Sequence, residues 1–152
     1  AIAVSSNGKY VATASETGTL IKVFNTETCS LEYEFRRGAK SAAIYDLAFN
    51  NDATVLACCS GNGTIHFFEL HNDPHESKNA KSMFSGIKDF LPKYFGSEWG
   101  FKQVNLGNIN KSICAFDDNN ILHVTTYDGA YYRISGKDYD SVQQGNLHIN
   151  NK

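Results

Sequence analysis

LAFNNDATVLACCSGNGTIHFF, residues 47–68, lies against IAVSSNGKYVATASETGTLIKVF, residues 2–24. The shift is about 45 residues, the period of propeller blades built from four short strands. Ser15 falls on Ser60, Gly18 on Gly63 and Thr19 on Thr64. The first copy breaks into IAVS, YVATAS and LIKVFN, with LEYEF as a fourth strand. Asn7-Gly8 and Thr17-Gly18 are hairpin signals between β-branched runs. A weaker third copy, SICAFDDNNILHVTTYDGAYYRIS, spans residues 112–135 and carries Asp128-Gly129 at its turn. Helical periodicity is almost absent outside residues 80–95. The expected fold is therefore all-β, a WD-repeat-like β-propeller represented by about three blades.

Residues 1–40 read as one blade, 41–106 as a second, 107–136 as the last, and 137–152 as a C-terminal tail. The last copy offers KSICAFD, ILHVTTY and AYYRIS but no clear fourth strand. A propeller typically closes with four to eight blades. The expectation is that an N-terminal remainder exists as a companion fragment and supplies the missing outer strand, since Ala1 stands in what looks like mid-strand. The second blade holds an insertion at 71–100, with FKQVNL as the resuming fourth strand. Its first part is polar. Its second part carries Met83, Phe84, Ile87, Phe90, Leu91, Tyr94, Phe95 and Trp99. Phe84, Ile87 and Leu91 have helical spacing, and Pro92 limits that helix.

A net charge of -2 argues against bulk adsorption to nucleic acid, so any anion binding must be local. No apolar run approaches the roughly 18 residues of a membrane span. Cys29, Cys58, Cys59 and Cys114 form no CxxC pair, so buried free thiols are expected, not zinc. No nucleophile elbow, metal cluster or usefully spaced carboxylate pair suggests an enzyme, and no cofactor is implied.

LEYEFRRGAK, residues 31–40, is the chemically distinctive stretch. Neighbouring side chains on a strand point to opposite faces. Arg36 and Arg37 would look into two separate pockets, and a guanidinium fork suits phosphate. A solvated arginine pair at a strand end is the plainer alternative.

Phe35-Arg36-Arg37-Gly38 follows a repeat containing TASETGTLIKVF and precedes IYDLAFN and CSGNGTIHFF. This arrangement resembles the PROPPIN or WIPI family, seven-bladed propellers that bind phosphoinositides. The likeness covers nearly the whole chain as the C-terminal three blades, and LPKYFGSEW is similar to the shorter-loop, Hsv2-like branch. The resemblance implies two pockets for phosphatidylinositol 3-phosphate or phosphatidylinositol 3,5-bisphosphate. Site one would comprise Arg36, Ser15, Thr19 and Lys22; site two would comprise Arg37, Ser60, Thr64 and His66. It implies further donors upstream of Ala1 for the first pocket. It also implies an inserted loop that enters the bilayer through Phe84, Ile87, Phe90, Leu91, Tyr94, Phe95 and Trp99. The implied role is a peripheral membrane protein of the cytoplasm on preautophagosomal, endosomal and vacuolar membranes. There it would recruit autophagy or endosomal proteins.

Each reading has a plainer counterpart. The recurring Ser and Thr could simply close turns. His66 could be a satisfied core histidine, and the aromatic loop could pack on the propeller's side. Asp46 and Asp128 read as strand-end and turn hydrogen-bonders. The competing function is a protein-interaction scaffold without lipid specificity.

Overall fold

The computed structural model describes residues 1–70, 80–81 as backbone, 97–107, 109 and 111–147. The strands, in chain order, are β1 (Ile2–Val4), β2 (Tyr10–Ala14), β3 (Leu20–Asn25) and β4 (Leu31–Arg36). Then follow β5 (Ile44–Phe49), β6 (Val55–Ser60), β7 (Thr64–Glu69), β8 (Ala80–Lys81), β9 (Glu98–Trp99) and β10 (Lys102–Asn105). The last four are β11 (Ser112–Phe116), β12 (Leu122–Thr126), β13 (Ala130–Ser135) and β14 (Ser141–Asn146). They form three sheets of order β1-β2-β3-β4-β9-β8, β10-β7-β6-β5 and β11-β12-β13-β14. No helix occurs among the described residues.

Burial follows the two-residue period of a strand. In β3, Ile21 and Val23 are buried while Lys22 between them is exposed. The middle sheet is covered on both faces, so β6 and β7 are each buried at every position but one. One core joins the first and second sheets through Ile21, Val23, Phe35, Leu56, Cys58 and Phe68. A second joins the second and third through Ala57, Cys59, Phe67, Val104, Leu122 and Ile134. Phe35 stacks on Phe68 at 4.8 Å in the first, and Phe67 stacks on Tyr139 at 4.2 Å in the second.

Polar stitches join the sheets at one rim. Ser6 Oγ donates to the Asn51 carbonyl (2.7 Å), Asn51 Nδ2 to Asp118 Oδ1 (2.9 Å) and Asn50 Nδ2 to Asn120 Oδ1 (3.2 Å). Asp46 Oδ2 accepts from the Cys114 amide at 2.8 Å, and Asp128 accepts from Thr126 Oγ1. Both aspartates are thus structural acceptors.

The structure corrects three expectations. Residues 141–146 do not belong to a tail: β14 pairs antiparallel with β13 from Ala130↔Asn146 to Ser135↔Ser141. The last sheet's outer strand therefore comes from this chain. Cys29 is exposed, unlike Cys58 and Cys59, because it sits in the β3–β4 turn at a positive φ of 55°. Finally, Thr13 pairs with Lys22 and Cys58 pairs with His66. Lys22 thus holds the place of His66, and β3 is offset by one residue from the alignment of Thr19 with Thr64. The expected helix at Phe84, Ile87 and Leu91 lies outside the described residues.

Gly63 closes the β6–β7 turn at φ 72°, and a Cβ there would overlap the Gly107 carbonyl oxygen. Gly107 has φ 80° but open space around it. Gly107→Ala should cost about 1–2 kcal/mol, the left-handed penalty alone. Gly63→Ala should cost distinctly more because backbone must also move. Urea midpoints of the two variants test the order.

Candidate functional site

The β4 register decides where the two arginines go. Antiparallel partners share a face, and β4 pairs Leu20↔Arg36, Ile21↔Phe35 and Lys22↔Glu34 with β3. Phe35 is wholly buried toward the second sheet. Arg36 therefore lies on the opposite face with Leu20, Lys22 and Thr13, while the next residue, Arg37, turns toward the second sheet. The two guanidinium groups diverge.

On the outer face, a cleft of about 320 Å³ is lined by Thr13, Ser15, Thr17, Thr19, Leu20 and Lys22. Ser15, Thr19 and Lys22 of the first expected set thus meet in one cleft. Ser15 Oγ and Thr17 Oγ1 are hydrogen-bonded at 2.9 Å. Arg36 adjoins the cleft through its strand partner Leu20 but is directed to the insertion's end. Its Nε donates to Ser97 Oγ at 3.3 Å, and its guanidinium carbon stands 5.8 Å from the Trp99 ring centroid.

The second expected set is assembled and buried. Ser60 Oγ and Thr64 Oγ1 are hydrogen-bonded at 2.7 Å, and Thr64 Oγ1 and His66 Nε2 at 3.0 Å. The cross-strand pair Ser60↔Thr64 and the neighbouring pair Cys58↔His66 put all three on one face. Arg37 is only 5% exposed. Its Nε donates to the Gly18 carbonyl at 2.7 Å and its Nη2 to the Lys40 carbonyl. Burial lowers the Arg37 pKa. Burial, and then the Arg37 charge, lower His66 to about 4. That field effect links Arg37 to the Ser60–Thr64–His66 chain.

Sequence reasoning missed Ser97, Thr13 and Thr17. Ser97 lay inside an insertion read as an aromatic loop, and the threonines had no counterpart in the repeat. Of the expected loop residues, Trp99 lies in β9, 36% exposed. Phe84, Ile87, Phe90, Leu91, Tyr94 and Phe95 lie outside the described residues. Among the described residues no helix is long and apolar enough to cross a membrane, and no group of metal-ligating side chains gathers.

Three blade-like sheets with two hydroxyl-rich sites beside diverging arginines define a partial β-propeller with candidate anion sites. A family model described as PROPPIN matches residues 1–121, and the chain belongs to that family. It is 36% identical to Autophagy-related protein 18e of Arabidopsis thaliana over 142 residues, covering 93% of this chain and 38% of the relative. The Kluyveromyces lactis Hsv2 structure with complete loop 6CD superposes with a TM-score of 0.68 at 26% identity, over 97% of this chain and 46% of that one. The complex of KlAtg21 with the coiled coil of AgAtg16 gives 0.63 at 28% identity, over 97% and 41%. The chain thus spans less than half the length of these relatives.

His66 binds its proton more weakly folded than unfolded, about 4 against an ordinary 6.5. The unfolded chain then holds more protons between those values, so stability is full above pH 6.5 and is lost as pH falls toward 4. The loss should be roughly 3 kcal/mol. His66→Gln should flatten that segment of the stability–pH curve measured by urea unfolding.

Proposed function

We propose that this chain contributes two phosphoinositide-headgroup sites to a peripheral membrane protein acting in autophagy and endosomal–vacuolar recruitment. Phosphatidylinositol 3-phosphate and phosphatidylinositol 3,5-bisphosphate are its ligands. The observation that carries this reading is the divergence of Arg36 and Arg37 to opposite faces of one sheet, Arg36 to the face that carries the Ser15–Thr19–Lys22 cleft and Arg37 to the face that meets the Ser60–Thr64–His66 chain. A phosphate needs several convergent donors, and Ser, Thr, Lys and Arg supply them. The autophagy-related names of the relatives support the setting. The coiled coil bound by the Atg21 relative supports autophagy proteins as partners. The aromatic segment that carries Phe84, Ile87, Phe90, Leu91, Tyr94, Phe95 and Trp99 is proposed as the part that reaches the bilayer, since one marginal anchor plus two headgroup sites multiply through effective concentration.

In the second site, the Lys40 carbonyl occupies a guanidinium donor that a phosphate oxygen would take. Binding there exchanges one acceptor for a charged one, so the net gain comes from charge. A bound phosphate also favours the imidazolium form of His66, which drives proton uptake.

Liposome flotation tests the reading in the intact protein. Arg36→Thr with Arg37→Thr should abolish binding to vesicles carrying phosphatidylinositol 3-phosphate. Each single change should weaken it roughly ten- to a hundredfold, the worth of a charged hydrogen-bond partner. Unchanged binding by the double variant would leave only the scaffold reading.

A further inference from the structure

β9 is the insertion's last segment, yet it belongs to the first sheet. It runs parallel to β4, with Phe35↔Glu98 and Arg36↔Trp99 in register. Registered neighbours on adjacent strands project to the same face, which brings the Trp99 ring over the Arg36 guanidinium at 5.8 Å. Ser97, 1% exposed, takes the Nε hydrogen bond from the same arginine at 3.3 Å. Two residues some sixty positions downstream thus hold one side chain of the FRRG stretch.

We infer that Trp99, with Ser97, is a positioning residue for Arg36, so that docking of the insertion's end onto β4 readies the first headgroup site. This rests on the phosphoinositide reading of that site. An arginine without such contacts loses rotamer freedom only when ligand arrives, and that cost weakens binding. Here the ring fixes the plane of the fork and Ser97 engages Nε, while the strand partner Leu20 lines the adjoining cleft. The β4–β9 contact and headgroup occupancy are then linked reciprocally. Anything that draws the insertion off β4 weakens the first site, and a bound headgroup holds β9 in place.

The test is calorimetric titration of the intact protein with soluble dibutanoyl phosphatidylinositol 3-phosphate, which removes the bilayer from the measurement. In an Arg37→Ala background, where the first site alone reports, Trp99→Ala should weaken binding roughly three- to tenfold. Trp99→Phe, which keeps a ring face, should stay within about twofold of the parent. Ser97→Ala should weaken binding in the same direction by less. In an Arg36→Ala background, where the second site alone reports, Trp99→Ala should change nothing. Equal loss in both backgrounds would make Trp99 merely structural and overturn the inference, as would unchanged affinity in the Arg37→Ala protein. If the protein with both arginines intact binds no soluble headgroup, the phosphoinositide reading itself fails.

Discussion

Burial of Phe35 fixes the chemistry of its neighbours. The ring is wholly excluded from water and stacks on Phe68 of the next sheet at 4.8 Å. A one-residue slip of β4 would send that ring into solvent and forfeit roughly 2–3 kcal/mol of burial. The alternation of a strand then leaves Arg36 and Arg37 no choice of side. Their separation owes nothing to their own charges. It is imposed by an apolar contact one residue away, which is why two cations can stand adjacent in sequence and serve different faces.

The inner arginine shows how the fold tolerates a buried charge. Arg37 is held by two backbone carbonyls, Gly18 and Lys40, from the loops on either side of β3–β4. Carbonyl dipoles satisfy donors without cancelling the charge, so a positive field persists toward the second sheet. His66 registers that field: it stays neutral because burial and Arg37 both oppose a second cation. The Ser60–Thr64–His66 chain is thereby kept as a set of uncharged hydrogen-bonding groups beside one fixed cation.

The three-sheet plan was legible because a repeat exposes its own period, and because Gly18, Gly63 and Gly129 mark the same turn in each copy. The divergence of the arginines was legible from strand alternation alone. β14 was not, because SVQQGN has no apolar alternation: all its positions but Gly145 are exposed. An edge strand held mainly by backbone bonds leaves little trace in composition. The equivalence of Lys22 and His66 was hidden by the extra residue in the β2–β3 connection, which only pairing partners reveal. Ser97 and Trp99 were read as loop because two-residue β9 pairs with a strand far back in the chain. No local pattern encodes that contact.

Cys58 and Cys59 sit back to back in β6, one sulfur in each apolar core. Their opposite directions leave them no route to a vicinal disulfide within a paired strand. They also place one thiol in each of the two interfaces that the middle sheet makes. Oxidation of one buried thiol to a sulfinic acid would thrust charged oxygens into a dry interface and part a single pair of sheets. The neighbouring sulfur, facing away, would leave the other pair closed.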